Sequence, residues 1–261
     1  MNALLASKAC DVTGIVAIAC ARHGCYAPNS LADLFLGEGQ KNMDFSLLKA
    51  IWLTHVDPDQ GVLLIYDIVC QYIVHFLHRV GDRLPEGLKV DAAIGLFHVH
   101  AHKDDCFFRF ASTFIPGAAI VAGEYLESLW STLNSISPSA RTATLPSRAE
   151  LLDDHATDSN HKKMLGIVSS LCKNYEKAVE MSQIAEKYYD NLTGQAGHLA
   201  VGKWEAEIVQ AEQERIDNRQ SMDIYATKLE KHSVQVPTQT ESSGTALDRW
   251  MSFALEVENK Q

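Results

Sequence analysis

The five residues Val62-Leu63-Leu64-Ile65-Tyr66 form an unbroken apolar run that follows the turn Asp57-Pro58-Asp59-Gln60-Gly61 and stops at a carboxylate, Asp67. A strand with one face in water alternates in polarity. A continuous run suits a strand covered on both faces, which places it in a sheet flanked by helices. The neighbouring segments agree. Val12–Cys20 is a second β-branched apolar run, read as a buried strand ending at Arg22-His23-Gly24, and Tyr26–Gln40 reads as a loop. Phe45–Trp52 has helical spacing with Asp44 placed as its N-cap. Beyond Asp67, Cys70–Val80 reads as a helix with Tyr72, Phe76 and Val80 on one face, and Ala92–Phe97 as a third strand. Val121–Asn134 reads as a helix carrying Glu124, Glu127 and Trp130. Strands alternating with helices predict an α/β domain over residues 1–160.

The remainder has a different texture. His161–Leu192 is helical in pattern, Thr193-Gly194-Gln195-Ala196-Gly197 breaks it, and His198–Lys231 resumes with many charges. Residues 161–232 therefore read as an antiparallel helical hairpin or short coiled coil. Residues 233–246, rich in Ser, Thr and Gln, read as a flexible linker, and 247–261 as a short terminal helix.

Charge and composition narrow the function classes. The chain carries 23 Lys and Arg against 33 Asp and Glu, net −10, so it does not coat nucleic acid by charge alone. No apolar run is long enough to span a membrane, and the start has no basic segment leading into a long apolar stretch. Six scattered cysteines without such a leader favour reduced thiols or metal ligands over a disulfide framework, and an intracellular protein.

Three groups of residues have the chemistry for a site. Asp67 is a carboxylate beyond the end of a buried strand, where ligands gather in open α/β sheets; capping the helix near Cys70 is its alternative role. Glu124 and Glu127 share a helix face three residues apart, as catalytic acids or as first-turn acids stabilised by the helix dipole. His98-x-His100-x-His102-x3-Cys106 offers three imidazoles and a thiol, with Cys70 a further donor; these are zinc-ligand types. On an extended strand His98, His100 and His102 point one way, whereas His102 and Cys106 align on a helical turn. The alternative is a histidine-rich surface segment beside a core cysteine. Cys20, His23 and Cys25 are too tightly spaced for a standard finger and read as core and turn residues. Lys162-Lys163 reads as a solvated helix face; the acidic run at Asp153-Asp154-His155 and Asp158 has two readings, the border of a metal site or, preferred, ordinary helix capping.

Four strings in order resemble the blocks of Kyakuja–Dileera–Zisupton (KDZ) transposases, of the fungal type associated with a CxC cysteine cluster. They are Tyr66-Asp67-Ile68-x-Cys70-Gln71, His98-x3-His102-x3-Cys106, Gly123-Glu124-x2-Glu127-x2-Trp130 and Leu152-Asp153-Asp154-His155. The resemblance implies an RNase H-like core of the retroviral-integrase type, N-terminally truncated here, followed by the helical hairpin. It implies metal-dependent phosphodiester cleavage and strand transfer on DNA at transposon ends, in the nucleus. Three carboxylates would hold Mg²⁺ or Mn²⁺; Asp67 matches the second, and Glu124 or Glu127 the glutamate. The first belongs in an Asp-x-Asn-Phe context that this sequence lacks, so a fragment with little activity alone is expected. The resemblance further implies structural Zn²⁺ on Cys70, His98, His102 and Cys106, with His100 as a spare ligand. Homo-oligomers through the hairpin are a further expectation. Two other readings follow from the same residues: a non-catalytic, zinc-stabilised DNA- or protein-binding scaffold, and a zinc hydrolase using His98, His100 and His102.

Overall fold

A computed structural model describes residues 11–118, 121, 123 and 125–225. The chain divides into two compact units, Met1–Ala226 and Thr227–Gln261, and every described residue lies in the first. The expected linker and terminal helix fall outside the described residues.

Helices and small sheets are mixed, as the α/β reading anticipates. β1 (Gly14–Val16) pairs antiparallel with β2 (Ala32–Leu34), Ile15 opposite Asp33. Only part of Val12–Cys20 is therefore strand, and the segment read as a loop contains its partner. α1 (Gln40–Leu53) follows, then β3 (Val62–Ile65), which pairs in parallel with β4 (Val90–Ala93), Leu64 beside Ala92. Parallel strands need a crossover. Here it contains α2 (Val69–Tyr72), a tight turn at Ile73–His75 and α3 (Phe76–Val80). The face predicted for this crossover is the buried one: Tyr72, Phe76 and Val80 are at most 2% exposed. They meet Leu64, Ala92, Ile94, Val99 and Phe110 in one core that also takes in Val16 and Leu34 from the first sheet.

Two local expectations are corrected. Asp44 is not the cap of α1, which begins four residues earlier; it lies inside the helix and is buried. Its carboxylate accepts from the Tyr72 hydroxyl (2.6 Å) and from Arg79 Nε and Nη2 (2.8 and 3.1 Å), which makes burial tolerable. The third strand stops at Ala93, because Gly95 turns the chain into α4 (Leu96–Val99). α5 (Asp104–Phe110) comes next, so residues 98–106 are not extended and the two-residue alignment of the histidines does not arise.

α6 (Tyr125–Leu133) and α7 (Ser137–Thr142) lead into α8 (Leu145–Ala196), a single helix of 52 residues. It starts well before His161, with a proline in its first turn. Asn160 ties it to the connection between β1 and β2, accepting from Tyr26 N (2.8 Å) and donating to Tyr26 O (3.0 Å). Gly197, at φ 86°, ends the helix and α9 (His198–Glu214) turns back.

Candidate metal and carboxylate sites

The site grows from the carboxyl ends of the parallel strands. Asp67 stands two residues beyond β3, and Gly95 stands two residues beyond β4. A glycine-dependent contact lies against these strand ends. Gly123 has φ +84°, and a Cβ placed on it would come within 2.9 Å of both Gly95 Cα and Ile65 Cγ2. Only a residue without a side chain lets the backbone at position 123 lie on the strand ends. Gly123→Ala is therefore expected to lower the unfolding midpoint, at a cost of about 1–3 kcal/mol from the strained backbone alone. A variant melting with the parent would show that this approach does not hold the segment.

This contact positions Glu127 in the first turn of α6. Its Oε1 lies 2.9 Å from His98 Nε2, and Asp67 Oδ1 lies 3.8 Å from the same nitrogen. A carboxylate only accepts, so Nε2 carries the hydrogen in this pair. Both carboxylates are open to water, at 59% and 60% side-chain exposure, so an ion could reach them and keep its own waters. Glu124 lies outside the described residues. The structure thus brings together two residues expected as carboxylate ligands and one expected as a zinc ligand.

A second group begins three residues after Asp67 in the chain. Cys70 in α2, His102 before α5 and Cys106 within α5 place one donor atom each within 4.8 Å of one another. Cys70 Sγ and His102 Nδ1 are 3.7 Å apart. Two ligands of one tetrahedral zinc, with Zn–S of about 2.3 Å and Zn–N of about 2.0 Å, stand roughly 3.5 Å apart, so the span suits that ion. His102 precedes α5 and Cys106 lies in its first turn; Lys103 between them is extended, so the two meet across the start of the helix and the helical-turn alignment expected from their spacing does not arise. Burial, and then the neighbouring Cys70, push the Cys106 thiol up from its ordinary range. A group of half-buried thiols and an imidazole with no disulfide is chemically what a soft cation takes.

The other two histidines go elsewhere. His98 is turned to the carboxylates, and the His100 ring lies against Phe107, centroids 5.3 Å apart. Three histidines with three different surroundings offer no shared position for a catalytic ion. Among the described residues, Cys70, His102 and Cys106 therefore stand without a fourth Cys, His or carboxylate in their group. Cys20 is exposed rather than in the core, its Sγ 3.3 Å from His23 Nδ1 in the turn closed by the Ala19–Tyr26 bridge. Asp158 pairs with Lys162 along α8 at 2.6 Å. Sequence reasoning overlooked the Asp44–Tyr72–Arg79 group and the Gly95–Gly123 contact. The glycine in the Gly123-Glu124 string was the one available signal for the latter.

A family model described as Kyakuja-Dileera-Zisupton transposase matches residues 2–160. No curated protein and no solved structure matches the chain.

Proposed function

The chain belongs to the Kyakuja-Dileera-Zisupton transposase family, and from that premise we propose that it carries part of a metal-dependent phosphoryl-transfer centre acting on DNA. The observation that carries this reading is the convergence of Asp67 and Glu127 on one imidazole nitrogen, beyond the carboxyl ends of β3 and β4. In an RNase H-like arrangement, a strand ending in Asp and a helix bearing Glu would contribute these two groups from opposite sides. A divalent ion such as Mg²⁺ or Mn²⁺ held there would neutralise charge on a phosphodiester and its leaving oxygen. Asp67 and Glu127 would supply hard oxygen donors. His98 would orient Glu127 through Nε2–H and lower the repulsion between the two carboxylates. The sequence holds no Asp-x-Asn-Phe string for a third carboxylate, so activity of this chain by itself is expected to be weak.

Manganese titration followed by electron paramagnetic resonance tests the reading directly. Asp67→Asn and Glu127→Gln should each weaken Mn²⁺ binding by roughly tenfold or more, the scale on which lost ligand-shell contacts act. Slow nicking of supercoiled plasmid with Mn²⁺ should disappear in Asp67→Ala. Mn²⁺ binding indifferent to both substitutions would remove the centre, and robust nicking lost in Asp67→Ala would show that a third carboxylate is present after all.

A second reading rests on the Cys70–His102–Cys106 group. Here the chain is a transposase-derived scaffold in which zinc pins α2 to α5, whether or not the carboxylates act on DNA.

A further inference from the structure

The longest helix among the described residues is uncovered over most of its length. Between residues 157 and 192 of α8 no side chain is buried. Yet that stretch is not polar all round. From Met164 the apolar spacing runs alternately four and three residues through Val168, Leu171 and Tyr175, and resumes at Tyr189 and Leu192. These six side chains are between 41% and 72% exposed. The intervening positions of the same register are the small residues Ala178, Ser182 and Ala185. The register is that of a coiled-coil seam, apolar at both ends and small in the middle, and it spans roughly 40 Å of helix. Leu165, Cys172 and Val179 widen one flank of the seam, and Met181 and Tyr188 the other. The protein's own α9 lies against the far end, where Thr193 is buried and the Tyr189 hydroxyl donates to Glu205, yet Tyr189 and Leu192 stay about half exposed there.

We propose that this face of α8 is the interface with a second copy of the same chain, paired antiparallel. Two observations select that occupant and that direction. First, charge is unevenly distributed along the helix. Residues 161–177 carry Lys162, Lys163, Lys173 and Lys177 against Glu176, net +3, while 178–194 carry Glu180, Glu186 and Asp190 against Lys187, net −2. Antiparallel pairing sets the basic half of one helix against the acidic half of its partner, whereas parallel pairing sets like against like. Second, the bulk of the seam is self-complementary about a dyad near residue 180. Val168 then meets the partner's Leu192, Leu171 the partner's Tyr189, and Tyr175 the partner's Ala185. Ala178 and Ser182 fill the centre. Large side chains face large ones at the ends and small ones towards the middle, as a two-fold, isologous contact requires. This inference is independent of the proposed phosphoryl-transfer centre, since it uses none of that centre's residues.

The full chain, with its metal content unaltered, should sediment as a dimer at micromolar concentration. Leu171→Asp/Tyr175→Asp should raise the dimer dissociation constant at least 30-fold while far-ultraviolet circular dichroism retains the parent helix content. Direction is read by mild oxidation in a Cys172→Ser background, with the bridges mapped by mass spectrometry. Leu171→Cys/Tyr189→Cys should form a bridge between 171 of one copy and 189 of the other, because these positions are too far apart to close within one helix. Leu171→Cys alone should form no 171–171 bridge. A monomer at tens of micromolar, or a dimer untouched by the aspartates, overturns the interface. A 171–171 bridge without the 171–189 bridge overturns the antiparallel arrangement.

Discussion

Asp44→Ala should cost about 3–5 kcal/mol of stability, the range for breaking a buried ion pair by removing one partner. Asp44 has no comparable substitute in the core. Its carboxylate takes three hydrogen bonds, from Tyr72 and twice from Arg79, and the Arg79 guanidinium also lies over the Tyr72 ring at 4.8 Å. The hydrogen bond to Asp44 holds the Arg79 guanidinium above its usual range, while burial and the same carboxylate keep the Tyr72 hydroxyl protonated. Removing the acid would leave Arg79, 20% exposed and with Nη1 already buried without a partner, as an uncompensated cation against the core. Tyr72→Phe should be far milder, about 1–2 kcal/mol, since it deletes one hydrogen bond and keeps the pair. The decisive comparison is Asp44→Leu/Arg79→Met: replacing both charges should recover most of the loss. Midpoints of urea unfolding measure all three. A single-site loss below about 1 kcal/mol would place the pair in the class of solvated surface bridges.

The same residue shows where sequence reasoning stops. Asp44 has the position of a helix cap when only its chain neighbours are visible; the guanidinium that pays for its burial is 35 residues away. What could be read was local or periodic. Val62–Ile65 announced itself as a strand because its apolar run is unbroken, although only Leu64 of it is buried in a two-stranded sheet, and Tyr72, Phe76 and Val80 because four-residue spacing defines one face of a helical run. The histidines were misplaced for a local reason. Ala92 to Phe97 has strand-like composition, but Gly95 converts its second half into a helix and sends His98 towards Glu127 instead of towards Cys106. That Cys70 joins His102 and Cys106 is a consequence of the parallel pairing of β3 and β4, which brings the segments after the two strands side by side. Spacing can suggest the donors, but only the strand register decides which of them meet. The length of α8 was missed for the opposite reason. Its first turns pack Leu152 and Ala156 against the body while residues 157–192 bury no side chain, so no one hydrophobic period runs through the whole of it.

Zinc should bind the chain at one equivalent and raise its unfolding temperature, and chelation should reverse the rise. A ligand that binds only the folded form adds about 2.7 kcal/mol at a free concentration 100-fold above its dissociation constant. The folded form alone brings together Cys70, from the segment after β3, with His102 and Cys106, from the segment after β4. Cys106→Ser should abolish the stabilisation, and His102→Ala should do the same. His100→Ala should not, because that ring lies against Phe107 and outside the group. The pH dependence has a definite sign. Zinc takes the thiolate, and burial keeps the Cys106 thiol protonated further into the alkaline range than usual, so at neutral pH its proton must leave as the metal arrives. Affinity should therefore climb by about tenfold per pH unit for each proton released, and fall away in acid. Calorimetry in two buffers of different ionisation enthalpy counts those protons. Zinc binding that is unchanged in Cys106→Ser, or that releases no proton at neutral pH, would mean that the metal sits elsewhere and that α2 and α5 are held together by their apolar contacts alone.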